Sequence, residues 1–167
     1  PPKGRVLVYD DDHYYMGGVM AEKLRADGYD VTLVTPAPIV SQWTTNTLEQ
    51  GRIQARMIEL GVDIIPLHSM DEIEADGATL ECVYTGAARK VSCTSVLIVT
   101  MRRPEEALYQ ALAAQNLPSL TRIGDALAPG TIAAAVWSGH RYARELGEDM
   151  SADVPFKREL PALSISF

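Results

Sequence analysis

Cysteine is nearly absent: Cys82 and Cys93 are the only two in 167 residues. Neither belongs to a C-x-x-C pair or has a histidine at ligand spacing. That argues against a zinc site or an iron–sulfur cluster held by this chain, and it fits a reducing, cytoplasmic setting. The three histidines, His13, His68 and His140, are far apart in sequence, so a histidine metal site is not expected. No apolar run approaches the ~20 residues of a membrane-spanning helix. The longest, such as "SVLIVT" at 95–100, are strand-sized. Basic residues are the minority, 15 Lys and Arg against 22 Asp and Glu, for a net charge of -7. Nucleic acid and anionic membrane are therefore not expected partners, since both need clustered cations.

Glycine is also missing where it would matter most. "RVLVYDDDHYYMGG" (5–18) reads as a buried strand entering a helix, the junction at which dinucleotide folds hold a pyrophosphate. The three glycine positions of that fingerprint fall near Asp10, Asp12 and Tyr15. Each Asp puts a β-carbon where backbone should approach, and a negative charge where the phosphates would lie. At about 4 Å and an effective dielectric near 20, one such repulsion costs on the order of 4 kcal/mol. A helix N-terminus offers at most ~2 kcal/mol the other way. Thr35 also stands where an acidic residue would grip a ribose. A dinucleotide at this junction is not expected. The simplest role for Asp12 or its neighbour is to cap the helix, with the others solvated. A rival reading takes Asp10–Asp12 as the magnesium-binding acids of a receiver-like signalling module. That module needs a phosphoacceptor Asp at the end of the third strand, whereas Asp63 stands at its start, and it needs a Lys that "VLIVTM" lacks.

With 47% hydrophobic residues the chain can bury one core or two small ones. Met16, Val19, Met20 and Leu24 recur at helical spacing up to Gly28, and "YDVTLVT" (29–35) is a second strand, making a parallel βαβ unit. A helix over roughly Thr45 to Leu60 carries Leu48, Ile53, Met57 and Leu60, and "VDIIPL" (62–67) is a third strand. "ATLECVYT" (78–85), "ARKVSCT" (88–94) and "SVLIVT" (95–100) then suggest an antiparallel meander returning to the parallel sheet. A helix through Ala107, Leu108, Ala111 and Leu112 follows. "LTRIGD" (120–125) reads as a last short strand and 128–147 as a long helix, with 151–167 an extended arm. The expected fold is α/β: a Rossmann-like parallel sheet with an antiparallel meander insertion, then a strand–helix segment. Arg141 and Glu145, and Arg144 and Glu148, are spaced for surface ion pairs, and Trp43 and Trp137 for packing.

In "GDALAPGTIAAAVWSGHRYARE", small residues open the last helix behind Gly124 and Asp125, a place where an Asp can bond a ligand hydroxyl or simply close a turn. With "VPFKRE" (154–159), "YYMGGVMAEKLRADGYDVTLVT" (14–35) and "TLEQGR" (47–52), this segment resembles the C-terminal nucleotide-domain region of the trimethylamine and dimethylamine dehydrogenase branch of the NADH:flavin oxidoreductase (old yellow enzyme-like) family. The resemblance implies a degenerate NAD(P)-binding-like domain over 1–104 and the returning segment of an FAD/ADP-binding-type domain over 105–167. It implies cofactor contacts at Gly124, Asp125 and Ile132, and a parent enzyme with a TIM-barrel FMN domain, an iron–sulfur cluster, and FAD or ADP. On that reading the chain is the C-terminal portion of a flavin-dependent oxidoreductase. It has no complete active site and no cofactor of its own, and its partners are the rest of the parent and an electron-acceptor protein.

Overall fold

The computed structural model describes residues 1–117 and 119–147. The chain divides into two compact units, Pro1–Met101 and Arg102–Phe167.

The first unit is built on four parallel strands, β1 (Val6–Asp10), β2 (Val31–Val34), β3 (Asp63–Ile65) and β7 (Ser95–Val99), in the order β3-β2-β1-β7. Their residues are aliphatic on both faces, as a doubly covered parallel sheet requires. Val6, Val8, Val31 and Leu33 face α1 (Met16–Ala26) and α2 (Gln50–Glu59), packing with Ala21, Leu24 and Met57. Leu7, Tyr9, Val34 and Ile65 face the other way, onto a three-stranded antiparallel sheet of β4 (His68–Glu74), β5 (Gly77–Cys82) and β6 (Ala88–Ser92) that contributes Ala78, Leu80 and Val91. The α/β class, the parallel βαβ unit and the meander return are thus as expected.

Several details differ. The meander gains a strand, β4, unmarked by any apolar run, while its final stretch is the parallel strand β7, seated beside β1. Helix α2 starts at Gln50, not near Thr45. The hydroxyls of Thr44, Thr45 and Thr47 donate to the carbonyls of Ser41, Gln42 and Thr44, and hold residues 42–45 in a 3-10 turn. Such local bonds compete with helix propagation, and Leu48 follows with φ +62°, exposed. Helix α1 buries Gly17, Gly18, Ala21 and Leu24, so Met16 and Val19 of the expected apolar stripe lie outside. Tyr15 stands at its N-cap, and no side chain caps the helix.

In the second unit the described elements are α3 (Ala107–Ala113), a 3-10 turn at Gly124–Ala126 and α4 (Ile132–Glu145). The expected strand at 120–125 is absent. A strand needs a ladder partner for its N–H and C=O groups, and the described residues of this unit include no strand. Glu148 and the arm at 151–167 lie outside the described residues. Thr131 caps α4, accepting the Ala134 N–H at 3.3 Å, and Arg141 pairs with Glu145 at 2.7 Å. Among the described residues of this unit the only buried one is Glu145. Ile132 is 85% exposed, Leu108 72% and Trp137 63%, the last with the Arg141 guanidinium over its ring.

Candidate functional site

The residues singled out by the sequence fall in two places, one in each unit.

The first is the acidic junction after β1. The sequence treats Asp10, Asp11 and Asp12 as a group, but the fold separates them. Asp10 is the last residue of β1, opposite Val99 of β7 in the parallel ladder, and it has no exposed surface. Its Oδ1 accepts the N–H groups of Asp12 and His13, each at 3.2 Å, closing a tight turn in which His13 takes φ +60°. The expected helix cap is therefore a turn closed one step earlier, by the buried member of the three. Asp11 is exposed, its N–H held by the Val99 carbonyl at 2.9 Å and its carboxylate 3.5 Å from His13 Nε2.

Burial pushes the Asp10 carboxyl above the ordinary aspartate range. The His13 N–H and imidazole and the Asp12 N–H pull in the opposite direction, and the Asp12 charge pushes up with the burial. A raised folded value means that this group's contribution to stability is complete below the ordinary value of 3.8 and is lost as pH rises through the folded value. Asp10→Asn keeps the shape and removes the titration. We expect the melting temperature of Asp10→Asn relative to the parent chain to be higher at pH 7 than at pH 3.5, measured by circular dichroism melts across that range.

Around the junction the side chains bind one another. Tyr15, at the third glycine position, donates its hydroxyl to Glu49 and also meets Thr47 Oγ1 at 3.1 Å, tying the start of α1 to the segment before α2. Tyr14 stacks on Trp43 with ring centroids 4.6 Å apart. Buried Ser41 has an unpartnered Oγ, as does His13 at Nδ1 and Asp10 at Oδ2. The receiver-like constellation is not assembled: Asp63 opens β3 at the opposite end of the sheet from Asp10. Among the described residues no three His, Cys, Asp or Glu side chains are grouped to hold a metal ion. Cys82 and Cys93 are both free thiols.

The second place is the turn before α4. Gly124 has φ +56°, a conformation a side chain would strain, and its N–H donates to Ser138 Oγ at 2.9 Å. Asp125 Oδ1 accepts the Gly130 N–H at 3.3 Å, which closes the loop between the 3-10 turn and the helix. A carboxylate accepts up to about four hydrogen bonds, so one internal bond leaves Asp125 capacity for a ligand hydroxyl. Ile132 begins the helix, followed by Ala133, Ala134 and Ala135, which keep its first turn slender. The three residues singled out from the sequence therefore fall within one turn-and-helix-start. Of the three, Asp125 keeps acceptor capacity, while Gly124 spends its N–H on Ser138 and its carbonyl on the Leu127 and Ala128 N–H groups. The Ser138 contact has no local signal in the pattern of residues.

No helix among the described residues is long and apolar enough to cross a membrane.

Known proteins share this arrangement. Residues 2–100 match the family described as the OYE-like second alpha/beta domain. Dimethylamine dehydrogenase of Hyphomicrobium sp. (strain x) is 30% identical, over 98% of this chain and 26% of that protein. The solved histamine dehydrogenase from Rhizobium sp. 4-9 is 46% identical with a TM-score of 0.88, covering 98% of this chain and 26% of its own. The 6-hydroxypseudooxynicotine amine oxidase from Pseudomonas geniculata N1 is 35% identical with a TM-score of 0.82, over 88% of this chain and 23% of that one. The chain thus spans about a quarter of the length of the relatives it matches. Its doubly covered parallel sheet, its antiparallel insertion and these likenesses agree: the chain belongs to the OYE-like second alpha/beta domain family and is homologous to a portion of the proteins of the trimethylamine/dimethylamine dehydrogenase branch.

Proposed function

We propose that this chain is the C-terminal nucleotide-domain portion of a flavin-dependent amine dehydrogenase, and that it serves as a scaffold without a complete active site. The observation that carries the reading is the bareness of the described residues of the second unit. Leu108, Ile132, Val136 and Trp137 expose apolar surface that a finished domain would cover. A returning segment of an FAD/ADP-binding-type domain, residues 105–167, would show such surface when the earlier part of that domain is not beside it. Residues 1–104 form the NAD(P)-binding-like domain, with its phosphate cradle filled by side chains. The remainder of the parent, a TIM-barrel FMN domain with an iron–sulfur cluster and a site for FAD or ADP, supplies the redox chemistry and covers the apolar face. In that setting the backbone of Gly124 and Ile132 would lie next to the cofactor, and Asp125 would accept from a ribityl or neighbouring hydroxyl.

The expected outcome is a colourless preparation that does not oxidise NADH and shows no saturable heat on titration with FAD or ADP. A yellow preparation with a flavin spectrum, or NADH turnover by this chain alone, would overturn the reading. Amide hydrogen exchange gives an independent measure. Residues 107–113 and 132–145 should exchange at least about a hundredfold faster than β1 and β2, because few buried apolar contacts resist their opening.

A further inference from the structure

The end of β1 lies between β2 and β7 at the centre of the parallel sheet, the place where open α/β sheets take their ligands. In a dinucleotide-binding loop the backbone N–H groups there face an anion. Here two such groups, from Asp12 and His13, converge on one oxygen of Asp10. The carboxyl reaches that position because Gly17, in the first turn of α1, has no side chain. A β-carbon on Gly17 would stand 2.5 Å from Asp10 Oδ2 and 2.6 Å from its Cβ. The glycine that a dinucleotide fold keeps in the loop has in effect moved into the helix, where it makes room for a carboxylate instead of a phosphate. Asp10 is fully buried with Oδ2 unpartnered, whereas Asp11 lies at the exposed rim.

We propose that Asp10 is a built-in anion: its carboxylate fills, from within the chain, the anion cradle formed by the Asp12 and His13 N–H groups and bare Gly17, and so determines that this cradle takes no external phosphate or carboxylate. The proposal deepens the scaffold reading above and rests on it. It separates the three acids: Asp10 is the plug, and Asp11 and Asp12 are not.

Removing the plug should create a site for a small carboxylate. Thermal melts of the full 167-residue chain would be recorded in sodium formate and in sodium chloride at equal ionic strength. The expected result for Asp10→Gly is a saturable rise in melting temperature of about 3 °C or more in formate over chloride. The parent chain, Asp10→Asn and the double variant Asp11→Asn/Asp12→Asn should show no difference between the two salts. If Asp10→Gly gives no cooperative melt in chloride, its recovery in formate supports the proposal, and failure to recover overturns it. Equal behaviour of Asp10→Gly in both salts also overturns it, as does a formate response in the parent chain or in the double variant. A parallel NADH fluorescence titration of the parent chain separates the two levels. NADH binding there would overturn the scaffold reading and this proposal together. No NADH binding with an unresponsive Asp10→Gly would overturn this proposal alone.

Discussion

Leu7→Ala is expected to destabilise the chain by about 3 kcal/mol, within the ~2–5 kcal/mol range of large-to-small changes in a tight core. Leu7 has no exposed surface and stands where the parallel sheet meets the antiparallel one, with Tyr9, Val34, Ile65 and Leu80 in the same cluster. These four neighbours, fixed in two sheets, cannot collapse into the vacated volume. The informative comparison is Trp137→Ala. It removes a larger side chain, yet its cost should stay within about 0.5 kcal/mol, because the ring is 63% exposed and its noted neighbour is the Arg141 guanidinium. Urea melts of both variants check the contrast. A Trp137→Ala cost as large as that of Leu7→Ala would mean that the second unit has a covered core in this chain, against the scaffold proposal.

Gly17→Ala should cost about 2 kcal/mol, although glycine to alanine inside a helix ordinarily gains up to ~1 kcal/mol. The new methyl would meet Asp10 Oδ2 at 2.5 Å and Asp10 Cβ at 2.6 Å. Neither atom can swing aside readily, since Cβ is fixed by the strand and the carboxyl by two backbone N–H bonds. Crowding of this kind typically costs ~1–3 kcal/mol. The pair should couple in a specific way. In an Asp10→Gly background the Gly17→Ala penalty should vanish and turn into a small gain. In an Asp10→Ala background most of the penalty should persist, because the clash with Cβ remains. A double-mutant cycle read by chemical denaturation measures this directly. Equal penalties in all three backgrounds would show that some other neighbour sets the cost of a side chain at position 17.

The regions legible in the sequence and those hidden from it differ for physical reasons. The first strand, helix and second strand read correctly because Val6–Tyr9 and Val31–Val34 are apolar on both faces and Gly28 ends the helix between them. The buried face of α1 was hidden, since Gly17 and Gly18 carry part of it and a residue without a side chain leaves no mark in a hydrophobic pattern. Strand β4, "HSMDEIE", was hidden by its polarity. It is an outer strand with a register shift between Met70 and Glu72, so its pattern never alternates cleanly. The acidic junction was legible as three carboxylates standing where a dinucleotide fold keeps glycines. Which acid fills it depends on a helix glycine seven residues on, a tertiary fact with no local signal. Near α4, Thr131 and the small residues after it were readable as a helix start, as the Thr131–Ala134 bond bears out. The absent strand at 120–125 shows the opposite limit: a sequence fit for a ladder forms one only beside a partner.

In the leading unit, with helices against one side of the parallel strands and a three-stranded cover against the other, the central strands β1 and β2 have neither broad face open to a visitor. A neighbour meets instead the helix exteriors, the outside of the cover, the strand ends, or the edge strands β3 and β7, at which the sheet stops among the described residues.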